Sequence, residues 1–248
     1  AEGNQRIQEI RDRGVPIAVG HGEKIWDLEP ELAVQVRELY EDAKISIWAE
    51  MPESFVENFP ASIPLITASM DRVDYVYHPE SGEELSSASE SVLKEVRKSW
   101  GLEVPNVQII ISDGLNARAI MDEGHLTPYL EQLKETLDAS GYIVGKNELL
   151  IRHGRVRAGY ASGEILFGES TVDAPKAIIH IIGERPGSGH HNFSAYMTAA
   201  TPDVWFQKGL VDHNITRVIS GISDTALPPA QAAKETVGIL DQMIGGMS

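Results

Sequence analysis

The sequence predicts an α/β protein, with a mostly parallel, Rossmann-like sheet flanked by helices and preceded by a smaller, mainly helical N-terminal region. Apolar, β-branched segments of strand length recur along the second half of the chain, and segments with helical periodicity lie between them. Alternation of strands and helices is typical of a parallel sheet. We place the N-terminal region at residues 1–100 and the α/β domain at residues 101–248.

The N-terminal region is assigned from turn and helix signals. The segment 15–28 carries two glycines and is typical of a loop or of short extended structure. A helix is predicted from Pro30, because proline suits a first helical turn. A short strand is predicted within 61–70. The next helix starts at 87–90, where Ser87 and Glu90 have the spacing of a capping box, and it stops at Gly101.

The α/β domain is assigned from four apolar strand segments. Its helices are predicted at 127–141 and 228–244, each with an apolar stripe or a start or stop signal. The turn after the first strand also leads into a helix. The four predicted strands are Val107–Ser112, Glu148–Gly154, Lys176–Ile182 and Ile215–Ile222.

Glycine and polar residues lie at the carboxyl ends of these strands, at 113–114, 153–155, 183–187 and 220–221. Ligands of open α/β sheets bind outside the carboxyl ends of the strands, and glycine lets backbone N–H groups approach a ligand. Glycine is also a common turn residue, and Glu184 and Arg185 could form a solvated ion pair. From spacing alone, both readings stay open.

Composition excludes several classes of protein. The formal charge of −16 argues against nucleic-acid and anionic membrane partners, since both present phosphate. With no cysteine, disulfides, thiolate metal sites and cysteine nucleophiles are excluded. No apolar run reaches the roughly 20 residues of a membrane span, and no secretory signal is recognised at the N-terminus, so we expect a cytoplasmic protein.

The histidines give no metal or hydrolase motif. His190 and His191 are adjacent and lack the i, i+4 spacing of a chelating pair. His180 lies within an apolar strand and is interpreted as a hydrogen-bonded core residue. His21 and His125 lie in glycine-bearing loops, where solvent is the expected neighbour. We expect no metal and no self-contained catalytic apparatus on this chain.

Several segments resemble a known family. The chain contains, in order, LSSASESVLKEV, VQIIISDGLNA, IRHGRV, GEIL, IIGERPG and TALPPAQAA. Their order is similar to that in the small (light) subunit of ethanolamine ammonia-lyase. The resemblance is strong over 71–245 and looser before that, and its most specific part is a strand ending in D-G-L followed by a strand ending in G-E-R-P-G.

The resemblance implies a subunit of an adenosylcobalamin-dependent lyase that converts ethanolamine to acetaldehyde and ammonia. In that family a TIM-barrel large subunit holds the substrate and the catalytic residues, while the small subunit binds the corrinoid and closes the barrel. We therefore expect a hetero-oligomer with this large subunit and no catalytic residue on this chain. A bacterial microcompartment is an alternative location, and the sequence leaves open whether Ile7 and Ile10 mark a targeting helix or an ordinary one.

The resemblance also implies which residues contact the cofactor. By motif position the family's contacts fall on Glu184, on Val156 and, in place of a cysteine, on Val218. Ser188 replaces a usual leucine. No D-x-H-x-x-G motif is present, which agrees with base-on cobalamin binding. With their strand-end neighbours, the expected cofactor-binding residues are Arg155, Val156, Glu184, Arg185, Gly187 and Val218.

Two other functions stay open at this point. One is a stand-alone corrinoid- or nucleotide-binding module without chemistry, which a large exposed apolar patch would disfavour. The other is a hydrolase or transferase with Asp113 and Glu184 as an acid/base pair. The sequence does not give the substrate, the number of subunits, the cofactor affinity, the effect of Val218, or whether the chain is separate or fused.

Overall fold

The computed structural model describes residues 2–13, 28, 30–187 and 189–247. The predicted loop at 15–28, except for residue 28, lies outside the described residues, as do His21 and Ser188. The chain divides into two compact units, Ala1–Lys44 and Ile45–Ser248. The sheet belongs to the second unit, and residue 100, where the sequence suggested a boundary, falls inside it.

Two helices account for most of the described part of the first unit. Helix α1 spans Glu2–Arg11, and helix α2, which starts at the predicted proline, spans Pro30–Trp48 and so continues into the second unit. An ion pair between Arg6 and Glu2, one turn apart, supports α1.

The second unit is built on a six-stranded sheet of order β1-β3-β2-β4-β5-β6. The first four strands in this order pair in parallel, while β5 is antiparallel to both of its neighbours. Every strand except β5 therefore runs in the same direction. The strands are β1 Ile63–Ile66, β2 Val107–Ser112, β3 Leu149–Arg152, β4 Lys176–Gly183, β5 Phe193–Ala200 and β6 Thr216–Ile222.

Helices cover both faces of this sheet. One face packs against α6, α7 and α10, and the other against α5, α8 and α9. The helices of the second unit are α3 Glu53–Val56, α4 Arg72–Tyr77, α5 Ser87–Trp100, α6 Ala117–Met121, α7 Leu126–Ala139, α8 Val156–Phe167, α9 Pro202–Phe206 and α10 Pro229–Gly245, with 3-10 turns at Pro79–Gly82 and His213–Ile215. The predicted α/β class is confirmed.

Two kinds of detail differ from the sequence predictions. Helix α5 is capped one residue earlier than predicted, because the Ser86 hydroxyl accepts from the Ser89 amide at 3.2 Å. Strand β5, helix α8 and the short helices α3, α4 and α9 were not predicted. Within the described residues, no helix is both long and apolar enough to cross a membrane.

Candidate functional site at the carboxyl edge of the sheet

The common strand direction brings five carboxyl ends to one edge of the sheet. Arg155 and Val156 follow β3 there, and Glu184 and Arg185 follow β4. These four predicted residues line one cavity of about 140 Å³. The rest of its lining consists of Tyr75, Leu115, Ile182, Gly183 and Tyr196.

The other two predicted residues do not line this cavity. Gly187 is exposed in the turn between β4 and β5, where its φ of 117° suits glycine. Val218 lies on β6 and is 48% exposed. Its pairing partner on the neighbouring strand β5 is Tyr196, which does line the cavity. Because directly paired residues share a face of the sheet, Val218 lies on the same face as Tyr196.

The turn after β3 is held in a defined shape. His153 has a positive φ of 55°, which is uncommon for a residue other than glycine. Its backbone carbonyl accepts from Thr67 at 3.0 Å, and its ring nitrogen Nε2 lies 2.6 Å from Glu50 Oε1. The next residue, Gly154, accepts at its carbonyl from the Tyr75 hydroxyl at 3.2 Å. These contacts fix the backbone that carries Arg155 and Val156.

A buried ion pair supports the same turn. Arg72 Nη1 lies 3.2 Å from Asp113 Oδ2, and the two side chains are 5% and 0% exposed. The other carboxylate oxygen accepts from the Gly154 amide at 3.3 Å. Burial raises the pKa of Asp113 to about 6, against the opposing effects of Arg72 and His153.

Asp113 is therefore a structural carboxylate. Both of its oxygens are engaged and its side chain is fully buried, so it offers no exposed acid or base to pair with Glu184. This argues against the hydrolase or transferase alternative. Loss of the Arg72 partner would leave a buried, unpaired charge, which typically costs about 3–5 kcal/mol.

Arg155 is fixed by a buried aromatic ring. Its guanidinium carbon lies 4.7 Å from the centroid of Tyr75, and Arg72 lies 4.8 Å from the same ring. Arg155 Nη2 also donates to the Tyr75 carbonyl at 2.9 Å. Its Nε is buried and has no hydrogen-bond partner among the described residues. This cavity-lining side chain thus has a donor still to be satisfied.

Glu184 is held by the strand that the sequence analysis missed. Its amide donates to the Asn192 carbonyl at 3.0 Å, and its Oε1 accepts from the Tyr196 hydroxyl at 2.9 Å. In the described part of the chain, no ion pair joins Glu184 to Arg185. The solvated ion pair that the sequence left open is therefore not formed.

Four described histidines were considered in the sequence analysis, namely His125, His180, His190 and His191. His180 is 1% exposed and bonded to Ser112 Oγ at 2.7 Å, as predicted, and burial lowers its pKa to about 4. The expectation for His125 is wrong, because it is 3% exposed and contacts Ala119 O and Asp224. His190 bonds to Thr225 at 2.8 Å and His191 to Asp122 at 2.5 Å.

Three site residues were missed from the sequence, namely Arg72, Tyr75 and Tyr196. Arg72 and Tyr75 lie on α4, which follows β1, in the segment DRVDYVYHPESGEELS. That segment carried part of the family resemblance, and this was the available signal. For Tyr196 no signal was available without β5.

The chain is thus an α/β protein with a small cavity at the carboxyl edge of its sheet, the edge at which open α/β sheets bind their ligands. The model of the ethanolamine ammonia-lyase light chain (EutC) family matches residues 3–247. The chain therefore belongs to the ethanolamine ammonia-lyase light chain family, and the resemblance is confirmed. Membership implies a light subunit of a lyase with a partner large subunit, in a family that is generally cobalamin-dependent.

Proposed function

We propose that this chain is the corrinoid-binding light subunit of an adenosylcobalamin-dependent ethanolamine ammonia-lyase, which converts ethanolamine to acetaldehyde and ammonia. The observation that carries the proposal is the family match over residues 3–247, together with the cavity that is lined by Arg155 and Val156 of the GRV motif and by residues 183–185 of the GERPG motif. On this proposal the catalytic residues belong to the large subunit.

The size of the cavity fits a site shared by two subunits. A volume of about 140 Å³ is below the roughly 300–1,000 Å³ of pockets that enclose a whole small molecule. It can hold one peripheral arm of a corrinoid but not the macrocycle. The rest of the cofactor would then lie on open surface, such as the face that carries Val218, and beneath the large subunit.

The chemistry of the lining fits such an arm. Corrinoids carry primary amides on the ring and a ribose phosphate in the nucleotide loop. Glu184 keeps one carboxylate oxygen that can accept from an amide or a hydroxyl, and Arg185 can donate to a carbonyl or a phosphate. Val156 adds an apolar wall. These residues would hold and orient the cofactor.

When bound, adenosylcobalamin would supply radical chemistry by cleavage of its cobalt–carbon bond. This chain's contribution is position and the exclusion of water from one side of the cofactor. The cavity wall is suited to that role, because its turns are fixed by buried hydrogen bonds and by the Arg72–Asp113 ion pair.

An apolar patch beside the site favours a two-subunit enzyme over a stand-alone module. Helix α4 buries Arg72 and Tyr75 but exposes large apolar side chains on its outer surface. The rings of Trp48 and Tyr77 lie 6.1 Å apart there. The members of this patch are Trp48, Met70, Val73 and Tyr77, exposed by 43%, 87%, 54% and 67%. Such patches mark surfaces that a partner covers.

The test is adenosylcobalamin retention, measured by visible absorbance after gel filtration, for the chain alone and with its large subunit. We expect retention by the mixture only, weakened about tenfold by Glu184→Ala, as for loss of a hydrogen bond to a charged group. Glu131→Ala, an exposed glutamate on α7, is the matched control and should change nothing. Retention by the chain alone would favour the stand-alone module, and no retention in either case would contradict the cobalamin proposal.

A further inference from the structure

We propose that Tyr196 is the positioning residue of this site: its hydroxyl orients the Glu184 carboxylate toward the cofactor. The inference rests on the proposed function, since Glu184 is taken there as a cofactor contact. It adds to that proposal a residue that the resemblance does not include, on a strand that the sequence did not predict.

Tyr196 differs from the rest of its strand. Tyr196 is partly exposed, whereas all the remaining residues of β5 are buried. It lines the cavity and pairs with His180 of β4 on one side and with Val218 of β6 on the other. The phenol is therefore carried by the middle of a strand that is paired on both edges, which fixes its position.

Glu184 needs such a partner because it follows the end of β4. Its backbone is tied to Asn192, but its side chain extends from the turn between β4 and β5. Among the described residues, the Tyr196 hydroxyl is the hydrogen-bond partner of the carboxylate, at 2.9 Å from Oε1. A donor on a strand thus orients an acceptor on a turn, and strand positions hold functional groups more accurately than loop positions.

The direction of this hydrogen bond is fixed by chemistry. An ionised carboxylate only accepts, so the phenol donates its single proton to Oε1. Burial, and then the adjacent Glu184, raise the pKa of Tyr196, so the phenol stays protonated and remains a donor at neutral pH. Oε2 is left to accept from an amide or a hydroxyl at the periphery of the corrinoid.

A double-mutant cycle tests the proposal on the complex of this chain with its large subunit. Adenosylcobalamin is titrated by visible absorbance into the wild type, Tyr196→Phe, Glu184→Ala and the double variant. We expect Tyr196→Phe to weaken binding about tenfold in the wild type, and by less than about twofold in the Glu184→Ala background, because the phenol acts through the carboxylate. If Glu184→Ala fails to assemble, Glu184→Leu, which keeps most of the side-chain volume but has no acceptor, replaces it in the cycle.

Tyr129→Phe is the matched control. Tyr129 is a buried tyrosine on the other face of the sheet, and its hydroxyl lies 2.8 Å from Thr236 Oγ1. Its variant loses a hydroxyl without touching the site, so the corrinoid affinity should stay at the wild-type value.

Two results would overturn the inference while leaving the proposed function intact. One is wild-type affinity in Tyr196→Phe. The other is equal weakening with and without Glu184, which would mean that Tyr196 acts independently of the carboxylate. If the wild-type complex bound no corrinoid, the proposed function and this inference would both be wrong.

Discussion

The central parallel strands of the sheet and its antiparallel edge strand are packed differently. In the parallel half, every residue of β2 and β4 is buried, because helices cover both faces. At the antiparallel end, β6 buries only Ile219 and Ile222. Its outward residues, Val218 and Ser220, remain exposed on the face that continues from the cavity. The contrast lies between the central strands β2 and β4, called here the closed half, and the antiparallel edge strand β6, called the open half.

This difference in packing suits the two halves to different roles, one in fixing the turns and one in leaving open surface beside the cavity. The closed half sets the shape of the turns, through Asp113, Arg72 and the Gly154 hydrogen bonds. The open half leaves room beside the cavity for a ligand too large to enter it. The cavity lies where the two halves meet, because Glu184 follows β4 and Tyr196 belongs to β5. Substitutions matched across the two halves test this comparison.

The largest expected difference is between Gly114→Ala and Gly221→Ala. Both glycines have positive φ, at 56° and 76°. A Cβ on Gly114 would overlap the carbonyl oxygen of Gly183, whereas a Cβ on Gly221 would meet no described atom within 4 Å. The left-handed backbone alone costs about 1–2 kcal/mol, and the overlap adds about 1–3 kcal/mol. We expect unfolding free energies lowered by about 4 kcal/mol for Gly114→Ala and about 1 kcal/mol for Gly221→Ala, measured in urea. Equal losses would contradict the comparison.

The second largest expected effect is a pH dependence of the unfolding free energy, which arises from His180 on β4. Burial lowers the folded-state pKa of His180 to about 4, from an ordinary value of 6.5. The neutral ring therefore stabilises the fold fully above pH 6.5, and this contribution is lost as the pH falls through 4. The shift corresponds to about 3 kcal/mol.

His180→Gln isolates this contribution. Glutamine keeps a polar group near Ser112 but does not titrate. Between pH 7.5 and pH 4, the wild type should lose about 3 kcal/mol more unfolding free energy than the variant, by urea denaturation at each pH. Parallel pH profiles for the two proteins would show that His180 is not buried as a neutral ring.

The sequence predicts β2 and β4 better than β5 and α8 for a physical reason. Continuous β-branched runs in β2 and β4 are characteristic of strands covered on both faces. β5, with the sequence FSAYMTAA, has small residues and no β-branched run. Helix α8 was missed because Gly159 and Gly163 lower helix propensity. Both glycines are required by packing, since a Cβ would collide with His180 or Trp205 respectively.

The candidate site, like the fold, was predicted in part from the sequence. Arg155, Val156, Glu184 and Arg185 follow predicted strands within recognisable motifs, and the structure brings these four together. Tyr196 comes from the strand that was missed. Arg72 contacts Asp113, about 40 positions further along the chain, and Tyr75 contacts Gly154, about 80 positions further along. Local sequence patterns carry no information about such distant contacts.

The smallest expected effect on stability is at Val218, in the open half. Because this side chain is 48% exposed, Val218→Thr should change the unfolding free energy by less than about 0.5 kcal/mol. If the corrinoid covers this face, the same change replaces a buried methyl group and should weaken cofactor binding by the two-subunit complex about fourfold. Val172→Thr is the matched control, since Val172 is 39% exposed and precedes β4 at the opposite edge of the sheet. It should alter neither quantity. A stability loss above 1 kcal/mol in Val218→Thr would place this residue in the packed core, and unchanged binding would remove the exposed face of β6 from the cofactor site.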